Sequence, residues 1–491
     1  MKYIKMVNKP GGLLMLLFDR CHYIVLTYEI SIKFDKHIYN EPTVWNCDYV
    51  SGGRLILSPT GCITPYHDVK LIYNAAKNGV TRALNAGVKK PLIVVQHIPD
   101  FPDSQLVTIL GAFEALYIPE QIKDLFPSFK CKFERLGLHA EEKLTVGFER
   151  VVRNAIALER SRIFARDIAG ADPERMTPLK AVEFIKEEFS HYPNVSINVI
   201  DNEDIITKEY PLLAAVSRGS TTKHQARIIE LEYKPSDVTR VAETLILVGK
   251  GVTYDTGGAD LKINGKMASS SRDKSGAAAV AGFLKACSIL KPPHLKVVGV
   301  LCLCRNAIGE NSYVSDELLV SRGGKVVRVT NTDAEGRFAM GDSLHKWTEV
   351  ASKQLSPHIY TIATLTDHAK SAFGHCTAAM DNHCARATKH SLRLQLSGSR
   401  MGEPVEVSTI LIEDLEAIAG KPNSEDLLQD NITKQGRLHQ IAGAFLLKIA
   451  DLDEKNIKYT HLDISPSCGW LPFPPTAVPI LSLCHLHRVF Y

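Results

Sequence analysis

Between residues 195 and 464, short β-branched runs alternate with stretches of helical spacing, and this alternation limits the fold more than any other feature. Strand candidates lie at residues 195–200, 226–233, 244–248, 295–304, 325–329, 359–365 and 459–464, with clear helical patterns at 276–290 and 338–355. Such an order predicts an α/β fold: a central, mostly parallel or mixed sheet flanked by helices. In sheets of this kind ligands bind beyond the strand ends. Lys250, Asp255 and Asp333 all fall just past predicted strands.

A smaller βαβ rhythm precedes this region. Residues 55–57 and 91–97 read as strands, and 68–86 and 104–116 as helices. At 491 residues the chain is too long for one ordinary domain. An amphipathic pattern over 145–168 predicts a joining helix, and Thr177-Pro178 reads as an N-cap followed by proline at the first helical position. The expectation is therefore two domains: a smaller N-terminal α/β domain with its linking helix over 1–165, and a larger C-terminal domain over 166–491.

Composition excludes several classes of function. Fifty-eight basic residues stand against 54 acidic ones with no basic block, so nucleic acid is not an implied partner. Eleven cysteines, an odd number without a CxxC pair, point to reduced thiols in a cytoplasmic protein. Lys2, Lys5 and Lys9 precede an apolar run at 11–18, but that run is short and ends at Asp19-Arg20. It reads as a buried first strand, not a signal peptide. No apolar stretch approaches the ~20 residues of a membrane helix.

The densest chemistry lies at 325–337, KVVRVTNTDAEGR. Val326, Val327 and Val329 read as a buried strand that empties into Asp333, Glu335 and Arg337. Two apart in extended backbone, Asp333 and Glu335 project to one side and offer hard oxygens to a divalent cation. Gly336 lets the chain turn before the helix. Three charges in a solvated loop would by themselves be unremarkable. A second block lies upstream: Val248-Gly249-Lys250-Gly251-Val252-Thr253-Tyr254-Asp255-Thr256-Gly257-Gly258, then Lys262 and Arg272-Asp273-Lys274-Ser275-Gly276.

In residue type, order and spacing, the two blocks resemble the leucyl aminopeptidase family of two-metal exopeptidases. The resemblance implies a metal set of Lys250, Asp255, Asp273, Asp333 and Glu335, with Asp255 and Glu335 shared between two divalent ions, zinc or manganese. It implies that Lys262 stabilises the reacting carbonyl and that Arg337 holds bicarbonate. It further implies peptide substrates with a free N-terminus, a homohexamer, and no nucleic-acid or membrane partner. The alternative is a weakly active structural homologue that keeps the fold and the oligomer. Lys250 is the odd ligand, since an ammonium cannot bind a metal; cations beside it must depress its pKa, or else it simply ion-pairs with Asp255. Competing signatures (HExxH, GxSxG, Walker A) are absent from the chain.

Three departures from the family concern the substrate pocket and the tail. Ser270 stands where the family usually has a methionine that lines the pocket for the first side chain. Asp367-His368 replaces Gly-Ala, and Thr476-Ala477-Val478-Pro479 lacks the usual TGxG. Ser270 and Asp367 together predict a weaker preference for large aliphatic first residues and a shift toward basic ones. In the other reading, Asp367 is neutralised by Lys370.

Overall fold

Three sheets are formed by the residues this computed structural model describes, namely 13–16, 40–48, 52–128, 132–140, 145–433 and 436–490. The chain divides into two units, one of residues 1–118, 122–159 and 399–402, the other of 119–121, 160–398 and 403–491. The division at 159/160 falls inside the Thr145–Gly170 helix.

The first unit holds β1 (Leu13–Leu16), β2 (Thr43–Asn46), β3 (Arg54–Pro59), β4 (Leu92–Val94) and β5 (Gly137–His139), in the order β2-β3-β1-β4-β5. The Lys70–Asn85 helix buries Ile72, Tyr73, Ala76, Val80 and Ala83 within it. The run at 11–18 contributes β1, while Lys2, Lys5 and Lys9 lie outside the described residues.

Within the second unit, one helix is entered as the sequence predicts. Thr177 Oγ1 accepts the Lys180 amide at 3.3 Å, and Pro178 opens the Pro178–Phe189 helix. Then come β6 (Val195–Ile200), β7 (Arg227–Tyr233), β8 (Glu243–Asp255), β9 (Leu295–Asn306), β10 (Leu318–Val320), β11 (Val326–Arg328), β12 (Pro357–Ala363), β13 (Thr377–Asp381), β14 (Val405–Thr409), β15 (Leu427–Leu428) and β16 (Lys458–Asp463). Eight of them form one mixed sheet, β14-β13-β16-β12-β8-β9-β7-β6, whose central β16, β12, β8 and β9 run parallel. Ile246 and Val248 share a core cluster with Phe338, Met340 and Leu344 of the Glu335–Ala351 helix. Gly249 and Gly299 face the Ser275–Leu290 helix on the opposite side. Among the described residues no helix is long and apolar enough to cross a membrane.

Two expectations need correction. β8 does not stop at 248; it continues to Asp255, so Lys250 lies within the strand and Asp255 is its last residue. Gly249 looks like a breaker in sequence, but here it admits a helix: a Cβ would lie 2.7 Å from Ala277 Cα. Secondly, the strand expected at 325–329 is not part of the main sheet. β11 pairs antiparallel with β10 and parallel with β15 in a separate three-stranded sheet. Short apolar runs declare a strand but not its neighbours.

Candidate metal centre

Asp255 ends β8 opposite Asn306, the last residue of β9, across a register shift. Its Oδ1 accepts the Gly257 amide at 2.9 Å and Asn306 Nδ2 at 2.9 Å, which fixes the carboxylate at the sheet's edge. Asp333 and Glu335 reach the same place by a route other than the expected extended strand. The Asn331 side chain accepts the Asp333 amide at 3.1 Å and starts a 3₁₀ turn over Thr332–Ala334. The helix then begins at Glu335, so Glu335, Gly336 and Arg337 occupy its first turn. Thr332 Oγ1 donates to the Gly257 carbonyl at 2.6 Å, and the Thr332 amide donates to Asp260 Oδ2 at 2.8 Å. These bonds lock the 257–260 loop to the 331–335 turn. As a result Asp255, Asp333 and Glu335 each present an oxygen within 4.8 Å of the others.

Lys250 sits beneath this cluster. Its Nζ lies 2.8 Å from Asp273 Oδ1, 2.8 Å from Glu335 Oε1, and donates to the Thr364 carbonyl at 2.8 Å. The expected alternative paired it with Asp255; its partners are instead Asp273 and Glu335. Gly336 is not a turn residue but a clearance, because a Cβ there would lie 2.6 Å from Lys250 Cε. Asp273, in the Ser270–Lys274 turn, also accepts Thr364 Oγ1 at 2.7 Å. Lys262 lies 3.0 Å from Asp255 Oδ2 and contacts Asp333 Oδ1.

Four carboxyl groups therefore face two ammonium groups, more acids than cations can pair. Burial, then Glu335 and Asp255, push the Asp273 carboxyl well above its usual range against the pull of Lys250. Burial, then Asp255 and Glu335, raise Asp333 to about 7. Burial disfavours the Lys250 ammonium, but Asp273, Glu335 and Asp255 outweigh it and its pKa rises. Lys262 is raised by Asp255, Glu335 and Asp333 against the same opposing burial.

Not every oxygen is answered by these lysines. Asp273 Oδ2, Glu335 Oε2 and Asn306 Oδ1 are buried with no hydrogen-bond partner, and Glu335 Oε1 meets only the Lys250 ammonium. Each unmade bond of this sort costs about 1–3 kcal/mol, more for a charged group. Convergent, unpartnered carboxylate oxygens are the donor set of a hard divalent cation, so the residues fit the metal that the resemblance implies.

Arg337 is buried beside the cluster. Its Nη1 donates to the Gln429 carbonyl at 2.7 Å and to Asp430 Oδ1 at 3.1 Å, while its Nε has no partner. Gln429 also braces the acidic turn, its Oε1 accepting the Thr330 and Asn331 amides at 3.0 and 3.1 Å. Thr364, Asn306, Gln429 and Asp430 were not anticipated from sequence. For Thr364 a signal existed: it is the first residue after β12, a strand that neighbours β8. Ser270 is buried in its turn. Asp367 is exposed at the start of the Asp367–Phe373 helix, and Lys370 lies 4.9 Å over the Trp470 ring.

A family description, cytosol aminopeptidase family, catalytic domain, matches residues 163–471. A Caenorhabditis elegans protein named "putative aminopeptidase" is 38% identical over 469 residues, spanning 92% of this chain and 88% of its own. The cytosol aminopeptidase of Vibrio cholerae is 31% identical over 362 residues, 72% of this chain and 66% of its own. The solved structure of the bottromycin maturation enzyme BotP in complex with Mn shares the fold, with a TM-score of 0.77 over 96% of this chain and 97% of that one at 20% identity.

Proposed function

The chain belongs to the cytosol aminopeptidase family, and from that membership we propose a metal-dependent exopeptidase that removes N-terminal residues from peptides with two divalent cations, manganese or zinc. The observation that supports this most is the convergence of Asp255, Asp333 and Glu335 within 4.8 Å beside buried, unpartnered oxygens of Asp273 and Glu335. Asp255 and Glu335 would be the shared ligands, Asp273 would serve one ion and Asp333 the other, with Lys250 joining as a neutral amine. When bound, such a pair lowers the pKa of water and polarises a carbonyl.

The chain's own groups divide the remaining work. Lys262 donates to the substrate carbonyl oxygen as negative charge grows there, the kind of stabilisation that dominates many hydrolases. Arg337, with an unpartnered Nε, would hold bicarbonate as a proton carrier. A substrate's free amine would bind one of the ions directly, which would restrict cleavage to chain ends. Thr364 holds Asp273 and Lys250 in register through its hydroxyl and carbonyl. We take the assembly to be a homohexamer and the compartment to be the cytoplasm.

The test strips the protein with a chelator, restores Mn²⁺ or Zn²⁺, and measures turnover of aminoacyl anilides and of an N-acetylated counterpart. Activity should return with metal and only toward the free amine. Turnover without metal, or equal hydrolysis of the blocked substrate, would contradict the assignment.

A further inference from the structure

At the end of the large sheet opposite the carboxylate cluster, two chain segments crowd unlike donor atoms around one sulfur. β16 opens at Lys458, level with His358 near the start of β12 and with Leu245 near the start of β8. The short His383–Ala387 helix follows β13 at this end, and residues 452–457 lead into β16. Cys384, half-buried and in no disulfide, lies on that helix. Its Sγ is 3.1 Å from His383 Nε2, 3.1 Å from Asn456 Oδ1 and 3.9 Å from the Lys455 carbonyl oxygen. Asn382 holds the arrangement from beneath. Its buried Nδ2 donates to the Leu452 and Ile457 carbonyls at 3.1 and 2.8 Å, and its Oδ1 accepts the Ala385 and Tyr459 amides at 3.0 and 3.1 Å. Every donor and acceptor of this side chain is thus spent on joining the helix to both ends of the 452–459 segment. The backbone that carries Lys455 and Asn456 is thereby fixed over Cys384.

A thiol has one hydrogen to give, and here three atoms of acceptor type face it. One hydrogen cannot answer all three, whereas a cation in its place can. Thiolate, imidazole and a neutral oxygen form the mixed donor set that zinc and its neighbours favour, unlike the all-oxygen set that suits Mn²⁺. With a Zn–S bond of ~2.3 Å and a Zn–N bond of ~2.0 Å, a tetrahedral angle sets sulfur and nitrogen about 3.5 Å apart. The sulfur–nitrogen distance of 3.1 Å is close to that already. His383 and Asn456 are both exposed, which leaves an ion a path from solvent.

We propose that Cys384, His383 and Asn456, with the Lys455 carbonyl, form a site for one thiophilic divalent cation such as Zn²⁺, separate from the carboxylate cluster. The ion ties the helix after β13 to the segment before β16, joining residues 72 apart in the chain. Its binding does not depend on the aminopeptidase reading. The two kinds of site sort metals by softness: Mn²⁺ enters the carboxylates alone, and Zn²⁺ or Co²⁺ enters both.

Co²⁺ is the probe, because thiolate-bound Co²⁺ shows a near-ultraviolet charge-transfer band that carboxylate-bound Co²⁺ lacks. The full chain and its Cys384→Ser, His383→Ala and Glu335→Ala variants are titrated with Co²⁺ in the presence of a thiol-free reductant. The wild type should develop the band to one Co²⁺ per chain, and Zn²⁺ should erase it. Cys384→Ser should abolish the band. His383→Ala should weaken the binding that produces it about ten-fold or more, since losing even an outer partner of a ligand costs that much. Because the His383 side chain lies in solvent, its truncation reads ligation even where the serine variant fails to fold. Glu335→Ala should keep the band, and Cys384→Ser and His383→Ala should keep the wild-type Mn²⁺ content. A wild type without the band overturns the proposal, as does a band that survives Cys384→Ser or an affinity unmoved by His383→Ala. A band lost in Glu335→Ala, or Mn²⁺ lost in the Cys384 or His383 variant, overturns it too, because the thiolate would then belong to the carboxylate centre.

Discussion

The two ends of the eight-stranded sheet are both buried and both polar, and they differ in whether their atoms are answered. Where β8 and β12 begin, Glu243 Oε2 lies 3.1 Å from His487 Nδ1. His487 Nε2 and His390 Nε2 each lie 2.7 Å from the Tyr360 hydroxyl, and His294 Nε2 lies 2.9 Å from the His487 carbonyl. His358 stacks on Tyr360 with centroids 4.4 Å apart and reaches Thr460 at 2.9 Å, leaving its Nδ1 without a partner. This is a hydrogen-bonded chain that closes largely on itself. Where β8 ends, carboxylates crowd together and several oxygens stay open. The lesson is that burial and polarity do not mark a ligand site; like charges with unspent lone pairs do.

The comparison can be broken most sharply at Lys262. Lys262→Ala should lower kcat about 10²–10³-fold, as the loss of an oxyanion donor does, with bound metal unchanged. Metal lost in that variant would move Lys262 from substrate to scaffold. Thr364→Val removes only the hydroxyl that holds Asp273 Oδ1. Metal affinity should fall about 10–100-fold, the usual cost of losing a partner that orients a ligand. Unaltered affinity would show that Asp273 is held without it.

At the opposite end, Tyr360→Phe should leave kcat/KM as it is and lower unfolding stability by about 1–3 kcal/mol, because two histidine nitrogens lose their partner. A fall in activity at full stability would mean the two ends are coupled. The smallest effect expected is in pH dependence. Burial, with His487 and Arg393, depresses His390 to about 3, below the unfolded value of about 6.5. The folded state therefore resists a proton that the unfolded state accepts. Stability is full above the unfolded pKa and is lost as pH falls from about 6.5 toward 3, by at most about 1.4 kcal/mol per pH unit for this group. His390→Gln should flatten the slope by that amount in denaturant titrations at pH 5 to 7; an unchanged slope would show that His390 is not held neutral.

Much of the site was legible because its residues lie in two short blocks whose spacing is tied to local backbone. Lys250 and Asp255 share one strand, and Asp333, Glu335 and Arg337 lie within five residues across a 3₁₀ turn and the helix start it leads into. What sequence could not deliver was contact across the sheet. Thr364 meets Lys250 from 114 residues away and Asp273 from 91. The tyrosine–histidine chain at the other end is assembled from Glu243, Tyr360, His390 and His487, which have no sequence proximity to reveal it. The corrections follow the same logic. Gly249 and Gly336 resemble breaks in a linear reading, and each is in fact a place where another element comes too close for a side chain. The fold class followed from alternation alone, whereas the partner strands of β11 depended on distant segments.

The central claim is that the open oxygens at the end of β8 hold two cations. It is tested most directly by counting bound Mn²⁺ per chain by mass spectrometry after saturation and gel filtration, in the wild type and in Glu335→Ala. The account requires close to two ions per wild-type chain and no more than one in the variant. A wild type that carries no metal, or a Glu335→Ala chain that keeps both ions, would contradict it.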